Sequence, residues 1–376
     1  MRTVVIGRTY ILEVNRAKWA YLPPDVNLTL ITPPAVRHPL KIYRAEPSTR
    51  WPHFLVSAWG TNRLSGFAFH PWKLWPILRE LGPDLIQVDE EPPSLALLEV
   101  LLLKNLLKCP IIFFSWENLP IKSCWPFPFI HRFNLQRADG VIAGTTEVAQ
   151  RLREARFCGL IAIIPQLGIA PEWFYPSRNE FLRQQLGLKD FTIGYLGRIV
   201  PEKGLWVLLD ALTALNIDWQ CLLVGDGPIR AEWLKQARNR GLDRRIVWMP
   251  TISHTKVPDY INTMDVLVLP SLTTLRWKEQ FGHVLIEAMA CRVPVIGSNS
   301  GAIPEVIGDA GIIVPEGDPN ALAQAIEQLY MSKSKRVTLG LKGRERVLSH
   351  FTNEQIAQKT WLFWQEVLSA RDSVRR

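Results

Sequence analysis

The chain has 376 residues, of which 47% are hydrophobic and 21% are charged. This composition excludes a disordered chain, and the length favours two domains, because a single core rarely grows beyond roughly 300 residues. The net charge of +9 suits anionic partners such as nucleoside diphosphates, phospholipid surfaces or nucleic acid.

In the first half of the chain, short β-branched runs alternate with longer helical patterns. The strand candidates are 3–6, 28–31, 85–88, 111–114, 140–143 and 162–164. Proline pairs at 23–24, 33–34 and 92–93 separate some of them. Such alternation is typical of a parallel sheet covered by helices.

The second half repeats the alternation. Its strand candidates are 191–196, 219–224, 246–248, 266–269, 293–296 and 311–314. Neither pattern continues through 168–178, where Pro171 and Pro176 flank aromatic residues, so we place the domain boundary there. A capping box at Thr352-Asn-Glu-Gln355 predicts a last helix that runs towards Ala370.

A motif that can bind phosphate follows the first strand of the second half, Gly197-Arg-Ile-Val-Pro-Glu-Lys-Gly204. Ligands of open α/β sheets usually bind where such a strand ends. Arg198 and Lys203 could neutralise one diphosphate, since arginine forks onto two oxygens and lysine supplies a compact charge. The alternative is a solvated turn with two surface cations.

A second motif, Phe281-Gly282-His283, precedes a predicted helix that Pro294 ends. Glycine lets a phosphate approach the backbone, and a helix N-terminus offers unpaired N–H groups and about half a positive charge. This motif therefore predicts a second phosphate-binding element.

Two carboxylates flank that motif. Glu287 lies inside the predicted helix among apolar residues, so it needs partners, either two ribose hydroxyls or a salt bridge to a nearby arginine or lysine. Glu279 is harder to explain structurally, because a second carboxylate beside a diphosphate is repulsive by about 4 kcal/mol at about 4 Å. That cost suggests a role at a reacting sugar.

The run from Glu279 to Glu305, together with 197–204 and Gly225-Asp-Gly-Pro228, resembles glycosyltransferase family 4. The resemblance implies the GT-B fold, in which two Rossmann-like, doubly wound parallel-sheet domains face a cleft. We expect an acceptor-binding domain at 1–170, joined by the C-terminal helix 353–376, and a donor-binding domain at 171–352. The implied reaction is a retaining transfer from a nucleotide sugar, with no metal and no cofactor.

The resemblance also implies roles for single residues. Arg198 and Lys203 would clamp the diphosphate, Glu279 would lie near the donor sugar, and Glu287 would bind the ribose. We expect Glu279, Arg198 and Lys203 to be catalytic, and the donor-binding set to be Gly197, Arg198, Lys203, Glu279, Phe281, Gly282, His283 and Glu287.

The acceptor side departs from the family pattern. The first strand is followed by Gly7-Arg-Thr-Tyr rather than by a glycine-rich loop, and Trp116-Glu117-Asn118 stands where many relatives carry a histidine. Gly7, Glu117 and Asn118 are therefore acceptor-side candidates. For Asn118 and Glu117 the alternative is a turn that caps the next segment.

Other polar residues lack the spacing of a metal site. Asp89-Glu-Glu91 imitates a metal-binding Asp-x-Asp motif, but we expect a solvated loop at a strand end. We assign no chemistry to the remaining histidines, which are His53, His70, His131, His254 and His350. The five cysteines (Cys109, Cys124, Cys158, Cys221, Cys291) are dispersed and predict reduced thiols.

Location follows from two further patterns. We expect no signal peptide and no bilayer span, because the longest apolar segment, 95–107, is short and carries charges. Segment 125–133 interleaves aromatic and basic residues, and 95–108 could form an apolar-faced helix, so either could dock on a membrane, although core packing is the alternative. We expect a cytoplasmic protein, peripheral at the inner face of the membrane if this docking occurs.

The expected function is transfer of a sugar, for which a hexose is our expectation, from a UDP-, GDP- or ADP-sugar to a saccharide or lipid-linked saccharide, in envelope or extracellular polysaccharide biosynthesis. The alternative is a catalytically silent nucleotide-sugar-binding or assembly protein of the same fold. A dinucleotide-dependent oxidoreductase is disfavoured, because Arg230 replaces the third glycine of the GxGxxG pattern that starts at Gly225. Nucleic acid is not an expected partner, since charge alone would support it.

Overall fold

The computed structural model describes residues 1–38, 41–63, 65–120 and 125–375. The chain divides into two compact units, Met1–Gly168 with Asn353–Arg376, and Ile169–Thr352. This division lies two residues before the boundary expected from the sequence, and the last helix belongs to the first unit.

Within the described residues, the first unit contains a seven-stranded sheet in the order β11-β10-β9-β8-β1-β2-β5. All its strand pairs are parallel. The strands β3 and β4, and β6 and β7, form two antiparallel pairs outside this sheet. The strands are β1 (Arg2–Ile6), β2 (Asn27–Thr32), β3 (Ala35–His38), β4 (Lys41–Arg44), β5 (His53–Leu55), β6 (Ala58–Trp59), β7 (Ala68–Phe69), β8 (Leu85–Val88), β9 (Ile111–Ser115), β10 (Gly140–Ala143) and β11 (Leu160–Ile163).

Helices cover both faces of this sheet. The α-helices are α1 (Pro71–Leu81), α2 (Leu95–Leu102), α3 (Lys104–Leu107), α4 (Phe127–Arg137), α5 (Thr146–Glu154) and, at the other end of the chain, α14 (Asn353–Arg375). Along β1, Val4 and Ile6 pack into one apolar cluster and Val5 into the opposite one. This period of two, with Thr3 to Ile6 all buried, is what a strand covered on both faces requires.

Helix α14 supplies part of the second cluster. The indole of Trp364 stacks on Trp19 with ring centroids 5.7 Å apart, and its Nε1 donates to Gln87 Oε1 at 2.8 Å. The predicted last helix is confirmed, and it completes the core of the first unit.

The second unit contains a six-stranded parallel sheet in the described residues, in the order β14-β13-β12-β15-β16-β17. Its strands are β12 (Phe191–Leu196), β13 (Trp219–Val224), β14 (Ile246–Met249), β15 (Val266–Leu269), β16 (Val295–Ser298) and β17 (Ile312–Val314). Its α-helices are α6 (Glu180–Gln185), α7 (Leu205–Ala214), α8 (Arg230–Asn239), α9 (Val257–Ile261), α10 (His283–Ala290), α11 (Ile303–Ile307), α12 (Pro319–Met331) and α13 (Lys333–His350).

The strand candidates of both halves are confirmed within a few residues. The strand expected at 293–296 begins two residues later, at Val295, because Val293 still belongs to the turn after α10. The N–H of Val293 donates to the carbonyl oxygen of Ala288 at 2.9 Å. Segment 95–107 forms two helices, and no helix in the described parts of the chain is both long and apolar enough to cross a membrane.

Candidate active site

The candidate donor residues follow adjacent strands of the second sheet. The sheet order places β13, β12, β15 and β16 side by side, so the loops after them leave the same carboxyl edge. These loops are 197–204, 225–228, 270–282 and 299–302. Ligands of open parallel sheets bind at this edge.

Glycines bring these loops into contact. Gly204 has a φ of +70°, and a Cβ there would lie 1.7 Å from the carbonyl oxygen of Pro270. Gly301, with a φ of +55°, would place a Cβ 2.0 Å from the carbonyl oxygen of Glu279. Only glycine accommodates both the left-handed backbone and these approaches.

The structure brings Lys203 and Glu279 into direct contact. Lys203 Nζ lies 2.5 Å from Glu279 Oε2, and Ser271 Oγ donates to the same oxygen at 2.8 Å. The ammonium also lies 5.0 Å from the ring of Trp277. Both side chains are largely buried, so each charge compensates the other where solvent screens them weakly. Glu279 therefore has structural partners, contrary to the expectation that it would be hard to explain structurally.

Arg198 is held differently from Lys203. Its side chain is 51% exposed, and its guanidinium lies 3.8 Å from Glu202. Its carbonyl oxygen accepts a hydrogen bond of 2.6 Å from the hydroxyl of Tyr195. Burial raises the pKa of Tyr195, so this phenol stays protonated and fixes the backbone of the loop. The backbone of Arg198 is thus positioned while its guanidinium faces solvent.

The second element for which phosphate binding is predicted lies at the start of α10. Gly282 precedes it with a φ of +80°, and the ring of Phe281 lies 4.8 Å from that of His283 and 5.7 Å from that of Phe351. The predicted order of a turn and then a helix is confirmed. Burial lowers the pKa of His283, which favours the neutral imidazole.

Glu287 contacts a histidine rather than an arginine or a lysine. His254 Nε2 lies 3.4 Å from Glu287 Oε1, and this hydrogen bond raises the pKa of His254. The alternative of a salt bridge to arginine or lysine is therefore replaced by a pairing with histidine, and this contact is a structural one for His254, to which no chemistry was assigned. No spacing signal could have found this pair, because the two residues are 33 positions apart and lie on different elements.

The acceptor-side candidates lie in the first unit. Gly7 follows β1, and a Cβ there would lie 2.9 Å from the Cβ of Asp89. Glu117 lies 3.2 Å from His131 Nε2 and 3.9 Å from Arg151, and Asn118 is buried. Gly7 thus permits a close approach between strand ends, and Glu117 is engaged within its own unit.

The acidic run at 89–91 is not solvated, contrary to the sequence expectation. Asp89 accepts from Gln87 at 2.6 Å, Glu90 pairs with Arg8 at 2.5 Å, and Glu91 accepts from Ser115 at 2.6 Å. Burial raises the pKa of Glu91 to about 7. These contacts of residues 89–91 therefore connect the ends of the neighbouring strands β1, β8 and β9.

The parts of the chain that the structure describes contain no cluster of three or more His, Cys, Asp or Glu that could hold a metal ion. Cys109, Cys158, Cys221 and Cys291 are free thiols, and Cys124 lies outside the described residues.

Residues 178–346, nearly all of the second unit, match the family model of the glycosyl transferases group 1. The chain carries a group 1 glycosyltransferase domain. The loops described above lie within the matched residues, so the buried Lys203–Glu279 pair and the start of α10 are parts of that domain.

Two curated relatives of this chain are named for the biosynthesis of bacterial capsular polysaccharide and lipopolysaccharide. It is 33% identical over 215 residues to the capsular polysaccharide biosynthesis glycosyltransferase CapM of Staphylococcus aureus, covering 54% of this chain and 52% of CapM. It is 27% identical to the lipopolysaccharide core biosynthesis mannosyltransferase LpsB of Rhizobium meliloti, and the match covers 79% of this chain and 93% of LpsB. The chain spans about half the length of CapM and about 40% of two other curated relatives that it matches.

Among solved structures, HepE of Anabaena in complex with UDP is similar over 97% of this chain and 100% of its own, with a TM-score of 0.76 and 19% identity. At that identity the likeness shows the fold alone. This chain has the GT-B fold of two Rossmann-like parallel-sheet units, as predicted.

Proposed function

We propose that this chain transfers a sugar from a nucleoside diphosphate sugar to a saccharide or lipid-linked saccharide, with retention of configuration at the transferred carbon. The observation that carries the proposal is the buried Lys203–Glu279 pair beside the start of α10. The polysaccharide roles named for CapM and LpsB support envelope or extracellular polysaccharide assembly as the setting.

Electrostatics at the leaving group would provide most of the catalysis. As the bond from sugar to phosphate breaks, negative charge grows on the diphosphate, where Lys203, Arg198 and the first N–H groups of α10 can stabilise it. Glu279 opposes a neighbouring phosphate by about 4 kcal/mol at about 4 Å, and the adjacent ammonium of Lys203 offsets that repulsion. In this proposal these cations do the work of a metal, so transfer should persist in EDTA.

Glu287 is suited to bind the ribose. A carboxylate can accept from two neighbouring hydroxyls, and the hydrogen bond from His254 keeps Glu287 oriented before a ligand arrives. HepE has been solved with UDP and with UDP-glucose, and a UDP-, GDP- or ADP-sugar is the proposed class of donor here.

The test is donor turnover by two variants. Glu279→Gln keeps the size of the side chain and removes its charge, and Lys203→Ala removes the cation that faces the buried carboxylate of Glu279. Each should lower donor hydrolysis and transfer by about 10²-fold or more. Lys235→Ala, an exposed lysine on α8, is the matched control and should keep the wild-type rate.

Unchanged turnover in both variants would refute the site assignment. A wild-type chain that binds nucleotide sugars but neither hydrolyses nor transfers them would instead support the silent binding protein. Parallel titrations with UDP, GDP and ADP identify the base.

We also propose that the first unit docks on the inner face of a membrane that carries the acceptor. Trp125 is 85% exposed and Phe129 70% exposed, so core packing does not explain them. Leu102 and Leu106 are also exposed on α2 and α3, and α2 packs against α4. Exposed aromatic and aliphatic side chains beside the cation of Arg132 suit an anionic lipid surface.

Flotation with anionic liposomes tests the docking. Combined Trp125→Ser and Phe129→Ser should lower the lipid-bound fraction by about tenfold, because each side chain loses apolar burial in the membrane. Phe181→Ser, equally exposed but in the second unit, is the control. If the wild-type chain does not float, the docking proposal is wrong.

A further inference from the structure

We propose that the second unit carries a separate binding site for a neutral saccharide, in a pocket of about 390 Å³. The pocket is lined by Glu172, Trp173, Tyr175, Ser177, Thr255, Pro258, Asp259 and Asn262. None of these residues belongs to the candidate donor site. The inference goes beyond the proposed transfer and does not depend on it.

The two walls of the pocket are fixed to each other. One wall is the turn 172–177 and the other is the segment 255–262. The side chain of Asn262 joins them, because its Oδ1 accepts from the N–H of Ser177 at 2.9 Å and its Nδ2 donates to the carbonyl oxygens of Tyr175 at 3.0 Å and Pro258 at 2.9 Å. The site is therefore preformed, and the protein loses little conformational entropy when a ligand binds.

The first wall presents two aromatic rings to solvent. Trp173 is 53% exposed and Tyr175 50% exposed, whereas Phe174 between them is buried against His254 with ring centroids 5.5 Å apart. The buried ring anchors the turn and directs its neighbours outwards. Flat aromatic faces in a pocket gain free energy when a flat apolar face covers them, and one face of a pyranose ring consists of C–H groups.

The polar lining selects hydroxyl donors over anions. Among the described residues, neither Glu172 nor Asp259 has a hydrogen-bond or ion-pair partner for its side chain, and the lining includes no basic residue. Carboxylates accept from neighbouring hydroxyls, while they would repel a phosphate. Aromatic faces beside unpaired acceptors therefore fit a neutral sugar and disfavour a nucleotide.

The pocket shares a segment with the candidate donor site. His254 contacts Glu287, and the next residue, Thr255, lines the pocket. A saccharide held there would lie on a segment that also orients the proposed ribose-binding carboxylate.

Saturation-transfer NMR on the full chain tests the proposal. The probes are the methyl glycosides of glucose, mannose, galactose and N-acetylglucosamine, together with maltotriose, each with and without saturating UDP. We expect at least one probe to bind, and to remain bound in saturating UDP, because the two sites use different residues.

Trp173→Ala and Tyr175→Ala should each weaken that binding by about tenfold or more, since each loses a stacking face. Asp259→Asn should weaken it less, because the amide keeps one acceptor. Trp72→Ala, an equally exposed indole in the first unit, should leave it unchanged, and melting temperatures establish that every variant folds.

The proposal is overturned if no probe binds the wild-type chain, if UDP displaces the probe, or if both aromatic variants bind like the wild type. Failure of sugar transfer with intact probe binding would refute the proposed function alone.

Discussion

Single side chains hold the two carboxylates of the candidate donor site in different ways. Glu279 contacts the ammonium of Lys203 and the hydroxyl of Ser271, which stabilise its negative charge although the side chain is buried. Glu287 is matched by a half-exposed histidine, whose charge depends on pH. The Glu287–His254 pair is therefore the one that responds to pH.

The pH dependence has a definite sign. Contact with Glu287 raises the pKa of His254 above its ordinary value near 6.5, so the protonated form is favoured in the folded state. The stabilisation is fully present below that ordinary value and is lost as pH rises through the folded value. His254→Gln should therefore lower the free energy of unfolding more at pH 6 than at pH 9.

Urea unfolding at both pH values measures this difference. Lys256→Gln, an exposed cation two residues further along, is the control and should show the same small effect at both. An equal loss at the two pH values for His254→Gln would contradict the assignment.

At this scale, the sequence predicted the residues but not all the contacts. Lys203 and Glu279 were expected at one ligand because their motifs resemble those of a known family, and the fold brings them together. The partner of Glu287 follows from the packing of 254–256 against α10, which no local pattern encodes.

At the scale of elements, one glycine controls where Glu279 lies. Gly301 has a left-handed backbone against the carbonyl of Glu279, so Gly301→Ala must displace that residue. Because small displacements of catalytic groups are costly, sugar transfer should fall by an amount on the order of 10²-fold.

Gly317→Ala is the matched control. Gly317 also has a positive φ, of +76°, but no atom lies within 4 Å of the added Cβ. Gly317→Ala should lower the free energy of unfolding by about 1 kcal/mol through backbone strain and leave the rate of sugar transfer unchanged. Equal rates in the two variants would show that the position of Glu279 does not matter.

The buried strands were predictable because both of their faces are covered, which gives continuous apolar runs. Strand β5 was missed for the opposite reason, since it has three residues and Phe54 and Leu55 are exposed. The strands of the pair β3–β4 have four residues each and those of β6–β7 have two, so their alternation is too brief to distinguish from a loop.

At the scale of the whole molecule, the chain returns to its first unit after completing the second. Trp364 on α14 is buried, stacks on Trp19 and donates to Gln87. Trp364→Ala should lower the stability of the first unit by about 3–5 kcal/mol, because it opens a cavity and leaves a buried amide oxygen without its donor.

Hydrogen exchange followed by mass spectrometry locates the effect. Protection should fall in β1 and β8 and remain unchanged in β12 and β13, which belong to the other unit. Leu362→Ala, on the exposed side of the same helix, should change neither. Uniform loss of protection across both units would contradict the division.

The same return of the chain sets an order for biosynthesis. Residues 169–352 are contiguous, so the second unit has every segment that it needs before α14 is synthesised. The first unit is completed only by α14, which is synthesised after the whole of the second unit. A nascent chain should thus fold its second unit first, and a truncation before α14 would damage the unit whose synthesis began earliest.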